Sequence, residues 1–447
     1  MSIENIVENE MERYVITTAQ MGVRPHKKFL QSLETYCKKN DAELLILPTS
    51  GKSIAEDTLH KDIQAYPIIT KDMTLNSNIK ISNYAIRPQQ INPLTGIRRF
   101  AQGDKSFIFA STKQSLEYIP TADDKFPKAV MTTGACTEPN YRLNNRIGRI
   151  ALKDHTLGAV VVEIENDRFF HFRHLIAQKN GLFYDLNKVY DGTKSRTIKK
   201  IPAFIVGDLH PYDTDPRHEA CTFEQIKALN PQNVFLHDTF NGLSISHHHE
   251  GHYARQYEVF KQQGLNLEKE LNKTLDKVKS YCKATNGIVR IVPSNHDDHL
   301  AQYLDEGRFI GDKGNQRIGA TLFRDMLDGI MPLYAGLEYV GALPTNLEFI
   351  DSKGYKIKGV ELGQHGHLGA NGGRGSLKSI EEANHKSVTG HSHSACKNRN
   401  TYKVGTSTKL RLSYNKGYSS WSQTNGILHE NGNVQLLNTV GKNWRGK

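Results

Sequence analysis

The sequence predicts an α/β protein built from two domains. A chain of 447 residues is longer than one hydrophobic core usually fills. Residues 1–195 carry one helical stretch and then short apolar runs separated by turn residues, which predicts a separate α+β, mostly β, domain. From residue 196 to 447, apolar strands alternate with helical segments, and this order is typical of a layered α/β domain.

The N-terminal domain is expected to begin as strand, helix, strand. Residues 13–18 are β-branched and aromatic, residues 26–39 have a helical pattern, and residues 42–47 are apolar. The polar, basic stretch 191–200 has no apolar face, so we expect the domain boundary there. Nothing in residues 1–195 is diagnostic of chemistry. Assembly or nucleic-acid binding are the functions left open, and many short strands leave edges that a homo-oligomer would cover.

The second domain contains one clear amphipathic helix and a strong charge asymmetry. An apolar stripe at steps of three and four predicts the helix, and it consists of Leu267, Leu271, Leu275, Val278 and Cys282. The net charge of the chain is +11, which favours polyanionic partners. Residues 385–447 carry 10 basic side chains and one acidic side chain, so much of this excess lies after the strand-rich middle of the domain.

Composition also excludes several classes of protein. The mean hydropathy is −0.56, and no apolar run approaches the length of a membrane span. The first thirty residues contain several charged side chains and lack the apolar stretch of a signal peptide. We therefore expect neither a membrane span nor a secretory signal. The five cysteines are scattered and never form a C-x-x-C pair, which favours a reducing, cytoplasmic location without disulfides or a zinc finger.

Five apolar segments of the second domain end in clusters of Asp, His or Asn. Buried ionisable groups must be paired or bound to metal, so five such strand ends in succession indicate one metal site. Residues two apart on an extended chain point the same way, as Asp208 and His210 do, and as His391 and His393 do. Carboxylate, imidazole and amide ligands without thiolate suit Mn²⁺, Fe²⁺ or Mg²⁺, and Zn²⁺ can also use them.

These clusters resemble, in order, the five motifs of the calcineurin-like metallophosphoesterases. The resemblance covers about residues 201–410. His237 and Ser294 stand where the family has glycine, and the usual second acid of the second motif is Asn241, whose role stays open. The matching segments are Gly207-Asp208-Leu209-His210, His237-Asp238-Thr239-Phe240-Asn241, Ser294-Asn295-His296-Asp297, His365-Gly366 and Gly390-His391-Ser392-His393.

The resemblance implies a β-sandwich flanked by helices that holds two divalent ions, for which Mn²⁺ is the first expectation. Asp238 would bridge the ions. One ion would be held by Asp208, His210 and His393, and the other by Asn295, His365 and His391. His367 would replace His365 as a ligand if the motif were shifted by two residues.

The same resemblance implies a hydrolytic mechanism. A hydroxide bridging the two ions would attack phosphorus, and His296 would protonate the leaving oxygen or stabilise the transition state. Asp297 would orient the imidazole of His296, with Asp298 as the alternative. In this interpretation both His296 and Asp297 are catalytic residues.

Four further residues are candidate substrate contacts. Arg374 lies in the Gly-rich stretch 369–375, which could cradle a phosphate or be an ordinary connection. His248 belongs to a histidine cluster that could contact phosphate or form a surface loop. Lys397 and Arg399 begin a segment of cations interleaved with aromatics, a composition that suits nucleic acid and equally a β-hairpin with its aromatics in a core.

The resemblance is nearest to the DNA-processing branch of the family, the SbcD-type and phage DNases. We therefore expect a hydrolase of phosphoric ester bonds, a Mn-dependent deoxyribonuclease that acts on single- or double-stranded DNA without a membrane partner. The alternative is a phosphatase or phosphodiesterase of the same superfamily that acts on proteins or small nucleotides. Steep loss of affinity with rising salt would distinguish the nuclease from an enzyme with a small substrate.

Overall fold

The protein folds as a mixed α/β structure with several β-sheets. A computed structural model describes residues 11–50, 58–101, 103–246, 252–351, 353–412 and 415–446. Strands before residue 200 are β1 (Glu12–Gln20), β2 (Glu43–Thr49), β3 (Met73–Asn76), β4 (Ile79–Ala85), β5 (Ser106–Ala110), β6 (Ser115–Ile119), β7 (Lys128–Thr132), β8 (Gly158–Ile164), β9 (Phe170–Ile176), β10 (Phe183–Asp185), β11 (Lys188–Asp191) and β12 (Lys194–Thr197).

The second half of the chain adds the remaining strands and most of the helices. The strands are β13 (Ala203–Ile205), β14 (Asn233–Leu236), β15 (Ile288–Ile291), β16 (Leu347–Phe349), β17 (Lys356–Ile357), β18 (Val360–Glu361), β19 (Ser387–Thr389), β20 (Cys396–Asn398), β21 (Thr401–Lys403), β22 (Thr424–Leu428) and β23 (Val434–Asn438). The helices of the whole chain are α1 (Lys27–Asn40), α2 (Arg146–Asp154), α3 (Pro216–Leu229), α4 (Tyr253–Gln263), α5 (Leu267–Ala284), α6 (Asn295–Asp305), α7 (Gln316–Leu327), α8 (Pro332–Val340) and α9 (Leu377–Asn384).

A six-stranded sheet in the order β16-β15-β14-β13-β22-β23 forms the first layer of the site-bearing region. Strands β13 to β16 run parallel, and β22 and β23 add antiparallel neighbours. One face packs on helices, where Phe204, Leu236 and Val289 join a core with α5. The predicted stripe of α5 is confirmed, since all five of its members are buried.

A ten-stranded sheet covers the other face of the six-stranded sheet. Its order is β17-β18-β19-β21-β20-β6-β7-β5-β4-β3. Ile205 and Phe235 from the first sheet share a core with Ile108, Met131 and Val388 from the second. Two sheets packed face to face, with helices outside one of them, make a layered arrangement.

The ten-stranded sheet takes five strands from each side of the predicted boundary at residue 195. The junction is the antiparallel pair β6 and β20, in which Leu116 lies opposite Lys397. The stretch predicted to be a linker instead contributes β12, which pairs with β11. Main-chain hydrogen bonds and one shared core thus join residues 1–195 and 196–447, which the sequence predicted to form two domains.

The beginning of the chain follows its predicted order of strand, helix, strand, formed by β1, α1 and β2. Strand β1 pairs with β2 in parallel and with β8 antiparallel, in a sheet of order β2-β1-β8-β9. Helix α1 covers this sheet through Phe29, Leu33 and Tyr36. Among the described residues, no helix is both long and apolar enough to cross a membrane.

Candidate metal centre

Five strand ends converge at one edge of the two packed sheets. The parallel strands β13, β14 and β15 lead into Asp208, Asp238 and Asn295 respectively. From the ten-stranded sheet, β18 leads into His365, and β19 leads into the segment 390–393. Because carboxyl ends of parallel strands meet at the same edge of a sheet, residues far apart in sequence come together there.

The first group of candidate ligands consists of His210, Asp238 and His393, with Asp208 beside them. The Nε2 atoms of His210 and His393 lie 3.0 Å apart. Asp238 Oδ2 lies 3.3 Å from His210 Nε2, and Asp208 Oδ2 lies 3.3 Å from His393 Nε2. Two imidazoles and two carboxylates that face one another are a ligand set for one divalent cation.

The second group surrounds His365. Its Nε2 lies 3.2 Å from Asp238 Oδ2, so Asp238 faces both groups as a bridging carboxylate would. Asn295 Oδ1 lies 3.1 Å from His391 Nδ1, and the rings of His365 and His391 are 5.3 Å apart. His367, the alternative ligand, instead pairs with Asp298 at 3.4 Å. The structure thus brings all seven sequence-predicted ligands together.

His237 is a member of the cluster that the sequence pattern did not identify as a ligand. It is fully buried, and its Nδ1 lies 3.2 Å from Nδ1 of His365. Asp208, His237 and His365 form a second triad whose ligand atoms lie within 4.8 Å of one another. The only sequence signal was a histidine in place of a glycine directly before Asp238, at the end of a buried strand.

Most oxygens of the two buried carboxylates have no hydrogen-bond donor among the described residues. Both oxygens of Asp208 and Oδ1 of Asp238 lack a partner among the described residues. Burial and the charge of Asp238 raise the pKa of Asp208. Burial opposes ionisation of Asp238 too, but His365, His296 and His210 hold its pKa well below the usual range. Such groups are costly without a counter-charge, and divalent cations would supply one.

Three histidines of the cluster, His237, His391 and His393, have lowered pKa values. Burial lowers the pKa of His391 to about 4 and that of His237 to about 3, and burial with the neighbouring His210 lowers the pKa of His393. A neutral imidazole has the lone pair that a metal ligand needs. The cluster offers five imidazoles, one amide and two carboxylates as ligands. This set of residues fits divalent ions.

Backbone strain is concentrated in the same residues. Four residues of the cluster have positive φ values, in the left-handed region that residues other than glycine rarely adopt. They are His210 (43°), Asp238 (48°), His391 (70°) and His393 (55°). Gly390 is required next to them, because a Cβ at that position would lie 2.1 Å from Asp208 Oδ1. Strained residues persist where surrounding structure fixes them, and they cluster at functional sites.

His296 lies at the edge of the cluster, where it can face a bound substrate. Its ring centroid is 4.8 Å from that of His210. Its Nδ1 lies 2.7 Å from the carbonyl oxygen of Asn241, and because a carbonyl only accepts, Nδ1 carries the proton. Burial lowers the pKa of His296. The opposite nitrogen, Nε2, remains for proton exchange with substrate.

The orienting partner of His296 differs from the prediction. Asp297 does not contact the imidazole, because its Oδ2 accepts a hydrogen bond from the Ser294 N–H and caps helix α6. Burial raises the pKa of Asp297 to about 8. Asp298, the alternative, faces His367. Asn241 holds His296 through its main chain, which a sequence pattern of side chains could not indicate.

The predicted substrate contacts do not all lie at the cleft. Arg374 is exposed, as a phosphate contact requires, but His248 lies outside the described residues. Lys397 is buried and its Nζ donates to the carbonyl oxygen of Gln114. Arg399 pairs with Glu381 at 2.7 Å and with Asp154 at 3.4 Å. Lys397 therefore serves the contact between the two halves of the sheet, which contradicts its predicted role. Arg399 instead links helices α9 and α2.

The chain is similar to a phage protein. It is 27% identical to Protein A1 of Escherichia phage T5 over 473 aligned residues, which cover 98% of this chain and 83% of that protein. No protein-family model matches the chain, and no solved structure matches it. The name of this relative states neither a substrate nor an activity.

Proposed function

We propose that this protein is a metal-dependent nuclease that hydrolyses phosphodiester bonds of DNA with a two-metal centre. One ion would be held by Asp208, His210 and His393, and the other by Asn295, His365 and His391, with Asp238 between them. The observation that carries the proposal is the pair of buried carboxylates, Asp208 and Asp238, which are enclosed by imidazoles and have three oxygens without a hydrogen-bond partner among the described residues. The resemblance of the five strand ends to the calcineurin-like metallophosphoesterases supports it.

The charge of the cluster suits a phosphodiester. Asp208 and Asp238 supply two negative charges, so two divalent cations would leave a positive site for an anionic substrate. Ions bound there would act as Lewis acids on phosphate oxygens and lower the pKa of a bound water. Mn²⁺ is our first choice because the ligands are carboxylate, imidazole and amide without thiolate.

Within this proposal, His296 is the catalytic residue that the protein itself supplies. Its Nδ1–H is fixed by the Asn241 carbonyl, which directs Nε2 away from that contact. When a second proton sits on Nε2, the imidazole would donate that proton to the leaving oxygen and return to its neutral form with Nδ1–H. Before that transfer, the doubly protonated ring would stabilise charge on the phosphate. His237 would act through His365, because their Nδ1 atoms share one proton while His365 Nε2 faces Asp238.

DNA is preferred to a small phosphoester because of the cations near the end of the chain. Lys409 and Lys416 are exposed, and Tyr418, two residues after Lys416, is 80% exposed. Cations neutralise backbone phosphates, and exposed aromatics stack on unpaired bases. Lys409 and Lys416 replace the buried Lys397 as the proposed contacts from this segment.

The test is cleavage of end-labelled and circular DNA, single- and double-stranded, by metal-stripped protein given back Mn²⁺ or Mg²⁺. The His296→Ala protein should bind metal normally and lose about 10²- to 10⁴-fold in rate. Asp238→Asn should lose both metal binding and cleavage. His60→Ala, a change at a half-buried histidine outside the cluster, is the matched control and should cleave normally.

Each result separates the alternatives. Cleavage that requires added metal and His296 supports the nuclease, and loss of circular DNA makes it an endonuclease. Intact DNA together with hydrolysis of bis-p-nitrophenyl phosphate would leave the metal centre and overturn the choice of substrate. Cleavage that survives in His296→Ala would indicate a contaminating nuclease.

A further inference from the structure

A cavity of about 530 Å³ lies apart from the metal centre. None of the seven candidate metal ligands lines it. Its walls come from the β6–β7 connection at 123–127, the β8–β9 connection around 168–170, and the segments 409–411 and 438–441. A cavity of this size, formed where several connections meet, suits a ligand of a few hundred cubic ångströms.

One wall of this cavity is aromatic. Phe126 and Phe170 have ring centroids 5.5 Å apart, and Phe126 and Phe169 have centroids 6.2 Å apart. Phe170 and Phe172 are buried beneath them, so they support the wall, while Phe126 and Phe169 are half-buried and keep ring surface open. An open aromatic face beside a cavity is a stacking surface for a flat ring.

The mouth of the same cavity is cationic. Arg217 is paired with Asp215 at 3.3 Å, and Arg411 with Asp123 at 2.7 Å. Arg168 and Lys409 are exposed, and neither has an acidic partner within the part of the chain that the structure describes. Two cations without counter-charges, next to stacking rings, match a ligand that joins a flat ring to an anion.

We infer that this cavity binds a nucleotide, with its base against Phe126 and Phe169 and its phosphate at Arg168 and Lys409. The choice of a nucleotide among aromatic anions rests on the proposed nuclease function. The nucleotide can be one unit of a DNA strand or a free mononucleotide, since both present the same base and phosphate.

The cavity and the metal centre share a stretch of backbone. Ser422 lines the cavity, and its N–H donates to the carbonyl oxygen of the candidate ligand His393 at 3.0 Å. The indole of Trp421 lies edge to face with the His393 ring, with centroids 4.2 Å apart. A strand held in the cavity would therefore pass close to the residues that hold one of the ions.

The experiment measures binding to the full-length chain in EDTA, so that the metal centre contributes no ions. The probes are deoxyadenosine monophosphate, a 5′-phosphorylated deoxyadenosine hexanucleotide, and deoxyribose 5-phosphate, which lacks the base. Arg168→Glu and Lys409→Glu should each weaken nucleotide binding about tenfold or more. Lys27→Glu reverses an exposed lysine in the first turn of α1 and should change nothing.

A further variant tests the aromatic wall. Phe169→Leu keeps an apolar side chain and removes the ring, and it should weaken both base-containing probes about fivefold or more without changing deoxyribose 5-phosphate binding. Tighter binding of the hexanucleotide than of the monophosphate identifies the ligand as a strand, and equal binding identifies a free nucleotide. Both support the cavity as a nucleotide site.

Failure of this inference differs from failure of the nuclease proposal. If neither nucleotide probe binds in EDTA, or if the charge-reversed variants bind as the wild type does, the nucleotide site is refuted. Metal-dependent DNA cleavage by the same preparation would then still support the nuclease. Nucleotide binding without DNA cleavage in Mn²⁺ would refute the nuclease and leave the cavity assignment standing.

Discussion

Replacing Asp208 by asparagine separates metal binding from folding more sharply than any other single change in the cluster. Asn has nearly the same shape as Asp, and Asp208 is fully buried, with no hydrogen-bond partner to either oxygen in the part of the chain that the structure describes. The Asp208→Asn protein should therefore fold. At pH 8 and without metal, it should be at least as stable as the wild type, because it brings no charge next to Asp238.

The effect of added metal should be lost. A ligand present at 100 times its dissociation constant stabilises a protein by about 2.7 kcal/mol. With an unfolding entropy of about 2.1 cal/mol/K per residue, this raises the melting temperature of a chain of 447 residues by about 3 °C. If Asp208→Asn weakens binding at least 100-fold, the same metal concentration contributes about 0.4 kcal/mol or less, a shift below about 1 °C.

The assay is scanning calorimetry of metal-stripped protein with increasing Mn²⁺, with isothermal titration to measure the affinity directly. Asp276→Asn changes an exposed carboxylate on α5 and should show the full shift. A wild-type shift in the Asp208→Asn protein would refute the assignment of Asp208 as a ligand. Metal-free Asp208→Asn that melts well below the wild type would refute the argument that its charge is uncompensated.

Three further predictions concern the backbone of the cluster, the core and a buried histidine. Gly390→Ala should weaken Mn²⁺ binding about 10- to 100-fold in titration calorimetry, because its Cβ would displace Asp208, and unchanged affinity would show that the backbone adapts. Leu275→Ala should lower the free energy of unfolding in urea by about 2–5 kcal/mol, because Leu275 is buried in the core of α5; a loss below about 1 kcal/mol would contradict this packing. His155 is neutral in the folded state, because burial lowers its pKa from 6.5 to about 4, so stability should fall as pH drops from 6.5 towards 4. His155→Gln should lessen that fall by about 3 kcal/mol in the free energy of unfolding, measured by urea titration at the two pH values. If the wild type and the variant lose the same stability, His155 does not cause the fall.

The sequence predicted local features of this structure well and distant pairings poorly. The stripe from Leu267 to Cys282 predicted a helix because its apolar residues recur every three or four positions. The strand ends predicted the cluster because ligands recur directly after apolar runs. The pairing of β6 with β20 joins residues about 280 positions apart, and no local period records such a contact.

Roles that depend on the main chain or on burial were also beyond the sequence pattern. Lys397 looked like a phosphate contact because the segment around it is rich in cations and aromatics. The sequence did not show that Lys397 is buried where the two halves of the sheet meet. Asp297 looked like the partner of His296 because it is adjacent, but the partner is a carbonyl oxygen, which every residue possesses. Side-chain chemistry alone could not distinguish these cases.

The pairing across the sheet has a consequence for the order in which the protein becomes competent during synthesis. Strands β3 to β7 are made early, but the edge of β6 stays open until β20 has been translated. His391 and His393 are made in the same late stretch, 183 residues after His210 in the case of His393. A partly made chain therefore has an exposed strand edge, which requires protection from aggregation, and each proposed ion site still lacks one of its ligands. Under the proposed function, the nascent chain cannot cut DNA before its last third has been made.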